Sequence, residues 1–152
     1  INGPELVFLD EPTTGLDPQS RRKFWDIVNS IKARGKTVVL TTHYMDEAEI
    51  LCDELVIMDH GEIIDQGSPR ELLEKHLPNK QVCIENSIPS FDNQQLSGKV
   101  NRNNNDLEIT TDSIETTLQE LIALKFDMSS LRVRNPTLED LFIKLTGRHL
   151  RE

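Results

Sequence analysis

Aromatic side chains are scarce in this 152-residue chain, at 5% of the total with one Trp, one Tyr and five Phe. Long apolar runs are missing as well. The longest, such as Leu6 to Leu9 and Leu55 to Met58, hold four residues each, far short of the roughly 20 that a membrane-spanning helix needs. Basic charge is in deficit, with 17 Lys and Arg against 26 Asp and Glu and a net charge of −9. That balance disfavours a chain whose main task is to hold a nucleic acid backbone, so no nucleic acid partner is expected. Cysteine is limited to Cys52 and Cys83, far apart and outside any metal-ligand spacing, which reads as idle or buried thiols in a reducing compartment. No basic segment followed by an apolar stretch stands at the start, and a secretory signal is not expected. The chain opens Ile1-Asn2-Gly3-Pro4 and enters a strand within ten residues. A start that abrupt suggests a piece of a longer protein.

With 36% hydrophobic residues, the length suits one ordinary domain or two small ones. A division at residue 78 separates two characters. Residues 1–78 carry 8 basic and 15 acidic side chains, and residues 79–152 carry 9 and 11. In the first part Glu5 to Asp10 reads as a short apolar strand covered on both faces. Asp17-Pro18 starts a helix, with Asp17 as cap and Pro18 at the first helical position. Phe24, Ile27, Val28 and Ile31 form its apolar stripe, and Gly35 ends it. Thr37 to Thr42 is a β-branched strand, so the order is a βαβ crossover and a parallel pair follows. A short acidic helix over Met45 to Cys52, a strand over Glu54 to Asp59, a His60-Gly61 turn and a returning strand complete the pattern. Ser68, with Glu71 three residues on, makes a capping box for a helix to about His76.

The second part opens with loop-like composition, seven asparagines within residues 79–106. Gln81 to Ile84, Leu107 to Thr110 and Leu131 to Arg134 read as strands. Ser113 to Phe126 reads as a helix with Ile114, Leu118, Leu121 and Ile122 on one face, and a last helix starts at Pro136-Thr137 with Leu138, Leu141, Phe142 and Leu145 as its stripe. A small α+β accessory domain over residues 79–152 is the expectation, beside an α/β domain over residues 1–78.

Chemistry concentrates at Asp10-Glu11. The apolar strand delivers two adjacent carboxylates at its carboxyl end, where open parallel sheets bind ligands. In phosphoryl chemistry one such acid can position Mg²⁺ and the other can orient or deprotonate the attacking water. Taken alone, the pair is equally a polar strand end ahead of the Pro12 turn. The surroundings are more specific. Glu11-Pro12-Thr13-Thr14-Gly15-Leu16-Asp17-Pro18 resembles the Walker B motif and D-loop of ABC-type ATPases, and Thr41-Thr42-His43 resembles the family's switch histidine. The resemblance continues through Glu47 to Asp53 and Gly61 to Pro69. It implies the C-terminal half of a P-loop ABC-type nucleotide-binding domain, a parallel sheet with flanking helices. It further implies that Asp10 lies in the Mg²⁺ shell and that Glu11 polarises the hydrolytic water. His43 would contact the γ-phosphate of ATP and link it to Glu11, and Gly15, Leu16 and Asp17 would lie where two ATPase subunits meet head to tail. Asp17 as a helix cap is compatible with that role.

Departures from the family pattern are equally informative. No G-x-x-x-x-G-K-[ST] loop occurs, so the backbone nest and lysine that cradle phosphates are missing from these residues. The glutamine loop and the Leu-Ser-Gly-Gly-Gln-type signature are missing too. Leu96-Ser97-Gly98-Lys99 imitates the signature but lies downstream of the Walker B strand and lacks the second glycine. A chain cut just before Walker B accounts for all three. The ending Asn135 to Arg148 looks like that of ATP-binding subunits that serve ABC-2-type permeases, including daunorubicin-resistance-type multidrug exporters. The resemblance therefore implies an ATP-hydrolysing exporter subunit, cytoplasmic and held peripherally at the inner face of the membrane by its permease. The alternatives are a non-transport ABC-type ATPase, such as a translation or DNA-repair factor, or a fragment that acts only as an interaction domain.

Overall fold

A strand, a helix and a second strand open the fold, in the order the sequence leads one to expect. The computed structural model describes residues 3–85, 96–103 and 106–147. Strand β1 (Leu6–Asp10) pairs in parallel with β2 (Thr37–Thr41), in a register that sets Leu6 opposite Thr37 and Asp10 opposite Thr41. Helix α1 (Pro18–Ala33) makes the crossover and packs on β2. Its start is fixed by Asp17, whose carboxylate accepts the backbone N–H groups of Gln19 and Ser20, both at 3.0 Å. Its end is a Gly35 with φ of 75°, a left-handed conformation that costs glycine little.

Helix α2 (Met45–Leu51) follows, then the antiparallel pair β3 (Leu55–Asp59) and β4 (Glu62–Gly67). Their two-residue connection, His60-Gly61, has φ of 51° and 81°. Two positive values are what a type I′ turn requires, and that turn matches the twist of the paired strands. Helix α3 (Pro69–His76) starts on a complete capping box. The Ser68 N–H donates to the Glu71 carboxylate at 3.0 Å, and the Glu71 N–H donates to the Ser68 hydroxyl at 3.2 Å. The Ser68 hydroxyl and then its backbone N–H hold the Glu71 carboxyl below its ordinary range.

The chain forms two compact units, one of residues up to Leu72 together with the last helix, α5 (Leu138–Thr146), the other spanning Leu73–Thr137. The division expected at residue 78 left α5 in the second part. In the structure α5 packs on α2, within the first unit. The buried apolar residues of this unit are Val28, Leu51, Ile57, Leu72, Leu138 and Leu141. Two expectations need correction here. Ile27 of the α1 stripe is exposed, and β1 is not covered on both faces among the described residues, since Phe8 is 72% exposed while Val7 and Leu9 are half-buried. Burial alternates along the strand because successive side chains point to opposite faces.

The second unit is a four-stranded antiparallel sheet of order β6-β7-β5-β8 with α4 (Ile114–Ala123) packed against it. Its strands are β5 (Lys80–Ile84), β6 (Lys99–Asn103), β7 (Asp106–Thr111) and β8 (Arg132–Arg134). Val82, Ile84, Leu107 and Ile109 face Leu121, Leu96 and Phe126 in one core. Strand β6 lies where composition suggested only loop. Among the described residues it is an edge strand paired to β7 alone, a position in which polar residues serve to discourage further pairing. Among the described side chains of β6, Val100 packs on the core.

Helix α4 ends three residues earlier than its periodicity suggests. Lys125, at φ of 60°, takes the left-handed position, and the N–H groups of Lys125 and Phe126 return to the carbonyls of Ile122 and Leu121, both at 3.0 Å. This is the Schellman arrangement, with Phe126 and Leu121 meeting in the core. The inward face also differs from expectation. Ile122 is exposed, and Thr117 is buried in its place, its hydroxyl satisfied by Thr111 Oγ1 at 2.9 Å.

The signature-like Leu96-Ser97-Gly98-Lys99 has a local structural role. Ser97 N–H donates to the Glu120 carboxylate at 3.0 Å, and Gly98 lies so close to β7 that an added Cβ would collide with Ile109 Cγ2 and sit 2.9 Å from the Thr110 carbonyl oxygen. A backbone oxygen and a core methyl cannot both retreat without moving the strand. Gly98→Ala is therefore expected to destabilise the second unit by about 1–3 kcal/mol, read as a lower guanidinium unfolding midpoint. An unchanged midpoint would show that β6 and β7 separate without cost.

Candidate functional site

Parallel pairing brings the carboxyl ends of β1 and β2 side by side, and the site forms where the chain leaves them. Asp10 is the last residue of β1, and its Oδ1 accepts a hydrogen bond from the Thr41 hydroxyl at the end of β2. Glu11 follows with φ of 46°, a left-handed conformation uncommon for a residue with a side chain. Its N–H donates to the Thr41 carbonyl at 3.1 Å and to the Thr41 hydroxyl at 3.2 Å. The Thr14 N–H closes the turn onto the Glu11 carbonyl at 3.2 Å.

The Glu11 carboxylate meets His43 directly, Oε2 to Nδ1 at 2.5 Å. Thr14 Oγ1 donates to the same Oε2 at 3.2 Å. Among the described residues nothing donates to Oε1. The Glu11 and His43 side chains are 40% and 45% exposed. A polar contact at that exposure adds little to stability, so its main consequence is orientation with solvent access retained.

The His43 ring is held from its chain neighbour too. It lies against the Tyr44 ring, centroids 4.1 Å apart, and the Arg21 guanidinium of α1 sits over the same Tyr44 ring at 4.0 Å. Arg21 also reaches Asp46 at 3.6 Å. The turn into α2 is fixed by the Tyr44 N–H on the Thr42 hydroxyl at 3.0 Å. One turn on, Glu47 is fully buried and takes the Trp25 indole N–H on Oε1 at 3.2 Å.

Of the residues singled out from sequence, Asp10, Glu11 and His43 come together. Gly15, Leu16 and Asp17 do not join them. Gly15, at φ of 79°, turns the chain towards α1, Leu16 is partly exposed, and Asp17 is committed to the α1 cap, where Oδ2 also accepts the Ser20 hydroxyl at 2.6 Å. Thr14, Thr41, Tyr44 and Arg21 were not singled out. The signal for Thr41 was available in the pairing of strand ends, since a parallel pair ending at Asp10 and Thr41 places the two side chains on one face.

Donor chemistry bears on Mg²⁺. Among the described residues no group of three or more His, Cys, Asp and Glu is arranged to hold a metal ion. Mg²⁺ commonly takes only one or two carboxylates and completes its shell with phosphate oxygens and water. Asp10, with one oxygen held by Thr41 and the other free among the described residues, fits a metal that arrives with a nucleotide. Cys52 and Cys83 are free and half-buried, and burial raises both thiols above their ordinary value, which lowers their reactivity.

A family profile described as "AAA domain, putative AbiEii toxin, Type IV TA system" matches residues 2–45. The chain is 37% identical to Nod factor export ATP-binding protein I of Mesorhizobium japonicum, over 100% of its own length and 45% of that protein. It is 41% identical to the protein of the same name from Rhizobium leguminosarum bv. viciae, over 99% of its own length and 49% of that protein. The chain thus spans about half the length of the curated relatives it matches. A solved structure titled "Structure of cbiO1 from clostridium perfringens: Part of the ABC transporter complex cbiONQ" aligns with 49% of this chain and 34% of its own, at 33% identity and a TM-score of 0.41. Among the described residues no helix is long and apolar enough to cross a membrane.

Asp17 offers a test of the site's foundation. The Ser20 hydroxyl, then the Ser20 and Gln19 N–H groups, hold its carboxyl below the ordinary value of 3.8. A depressed folded-state value means the cap's charge stabilises above the unfolded value and is lost as the pH falls through the folded one. Asp17→Ala is expected to lower the thermal midpoint at neutral pH, while Asp17→Asn, which keeps a capping acceptor, retains most of the stability. The gap between Asp17→Ala and the parent should narrow in acid below the usual carboxylate value. A gap independent of pH would mean that the ionised cap contributes nothing.

Proposed function

We propose that this chain, which is similar over its whole length to ABC transporter ATP-binding proteins, is the water-activating part of an exporter's ATPase subunit. The observation that carries the reading is the Glu11–His43 contact of 2.5 Å beside Asp10 at the end of a parallel strand. Glu11 Oε1 is the oxygen placed to accept a proton from the attacking water, because Oε2 already serves His43 and Thr14. A base of this kind contributes about 100-fold or more to a rate. His43 orients that base through Nδ1 and presents Nε2 to the γ-phosphate. Asp10 is the ligand for Mg²⁺, which when bound neutralises charge on the phosphates.

Gly15, Leu16 and Asp17 belong to the surface where a second ATPase subunit docks head to tail. The loop that grips the phosphates is supplied by protein outside these 152 residues. Closure of the dimer on ATP and reopening after hydrolysis would move an ABC-2-type permease by contact, with the subunit on the cytoplasmic face of the membrane. The names of the relatives support export as the direction. Residues 1–78 carry the ATPase part and residues 79–152 the accessory part in this reading. The exception is α5, which groups with the first unit and completes the ATPase part.

Glu11→Gln in the full-length protein is expected to lower kcat for ATP hydrolysis by about 100-fold or more while ATP binding is retained. Near-normal hydrolysis would remove Glu11 from the mechanism. The 152-residue chain alone should show no specific ATP binding by calorimetry, and micromolar affinity would overturn the placement of the phosphate-gripping loop elsewhere.

A further inference from the structure

We infer that Thr41 is a positioning residue that sets both carboxylates of the site through one hydroxyl, an inference that rests on the ATPase reading above. The Thr41 hydroxyl gives its single proton to Asp10 Oδ1 and accepts the Glu11 N–H at 3.2 Å. One donor and free lone pairs are the full hydrogen-bonding inventory of a hydroxyl, and both kinds are used. Asp10 and Glu11 are adjacent in sequence but leave the strand differently. Asp10 ends the regular pairing, opposite Thr41, whereas Glu11 turns into the left-handed region at φ of 46°.

That turn breaks the alternation that would otherwise send Glu11 to the opposite face from Asp10. It is pinned at its N–H by the Thr41 hydroxyl together with the Thr41 carbonyl at 3.1 Å. The bond to Oδ1 selects the rotamer of Asp10 and leaves Oδ2 as the outward oxygen. Threonine suits the task because branching at Cβ restricts χ1, so the hydroxyl direction follows from the strand backbone.

A threonine chosen only for strand propensity would be replaceable by valine, which has the same shape and no hydroxyl. This sets the experiment. In the full-length protein, Thr41→Val is expected to lower kcat by about 10- to 100-fold, with KM for ATP within about threefold of the parent, as for residues that orient a ligand from behind. Mn²⁺ affinity in the presence of a non-hydrolysable ATP analogue, read by electron paramagnetic resonance, should weaken about tenfold in the same variant. Thr41→Ser, which keeps the hydroxyl, should restore both within about threefold. Parental kcat and Mn²⁺ affinity in Thr41→Val would overturn the inference, and so would a Thr41→Ser protein as impaired as Thr41→Val. If Thr41→Val does not fold, Thr41→Ala against Thr41→Ser makes the same comparison, with an unimpaired Thr41→Ala or an equally impaired Thr41→Ser overturning the inference. Hydrolysis retained by Glu11→Gln would bring down the ATPase reading itself, whereas an inactive Glu11→Gln beside an unaffected Thr41→Val would bring down only the role of Thr41.

Discussion

The parallel register of β1 and β2 is the constraint from which the site follows. Asp10 stands opposite Thr41, so the two strands finish together and the segments leaving them meet. A slip of one residue would turn Thr41 to the other face and separate its hydroxyl from Asp10. It would also move the anchor of the Glu11 N–H, on which the left-handed turn depends. Helix α1 makes this register possible by spanning the crossover. Its first turn is secured by Asp17, and its Arg21 reaches back to Tyr44 beside the histidine. The same helix that connects the strands therefore holds the residue that follows His43.

Much of this was readable from sequence because the signals were local. Asp17-Pro18, Gly35, His60-Gly61 and the Ser68 to Glu71 box each lie within a few residues of the structure they specify, and each forms as read. The misreadings are of another kind. Strand β6 is polar because an edge strand has one neighbour, and that status depends on the order β6-β7-β5-β8. Helix α4 ends at Ala123 and is closed by Lys125 in the left-handed conformation, without the glycine that usually marks such an end. The membership of α5 depends on what α2 offers it far away in the chain. In the site, the pairing of Glu11 with His43 was implied by family resemblance. The Thr41–Asp10 and Arg21–Tyr44 contacts join residues 31 and 23 positions apart, so a local window of sequence does not display them and only the pairing of strand ends pointed to Thr41.

The acidic excess of the first unit divides into tasks by solvent access. Asp17 spends both oxygens on the α1 cap. Glu47 is fully buried, with the Trp25 indole on one oxygen, so no water reaches it to be activated. Asp53 and Glu5 pair with Lys32 and Lys36 at 2.8 and 2.6 Å. Asp10 and Glu11 differ from all of these in place: anchored through one oxygen by groups that end the strand pairing, they stand at the end of a parallel strand, where ligands bind.

That asymmetry is most developed at Glu11. A carboxylate free at both oxygens would rotate, and one bonded at both would have no site for a proton. Here His43 and Thr14 converge on Oε2, which fixes the plane of the group and leaves Oε1 towards solvent. Position matters here because the reacting water must lie in line with the bond that breaks. In the proposed reaction, the strained turn at Glu11, the hydroxyl of Thr41 behind it and the stacked histidine in front all act on the direction of a single oxygen.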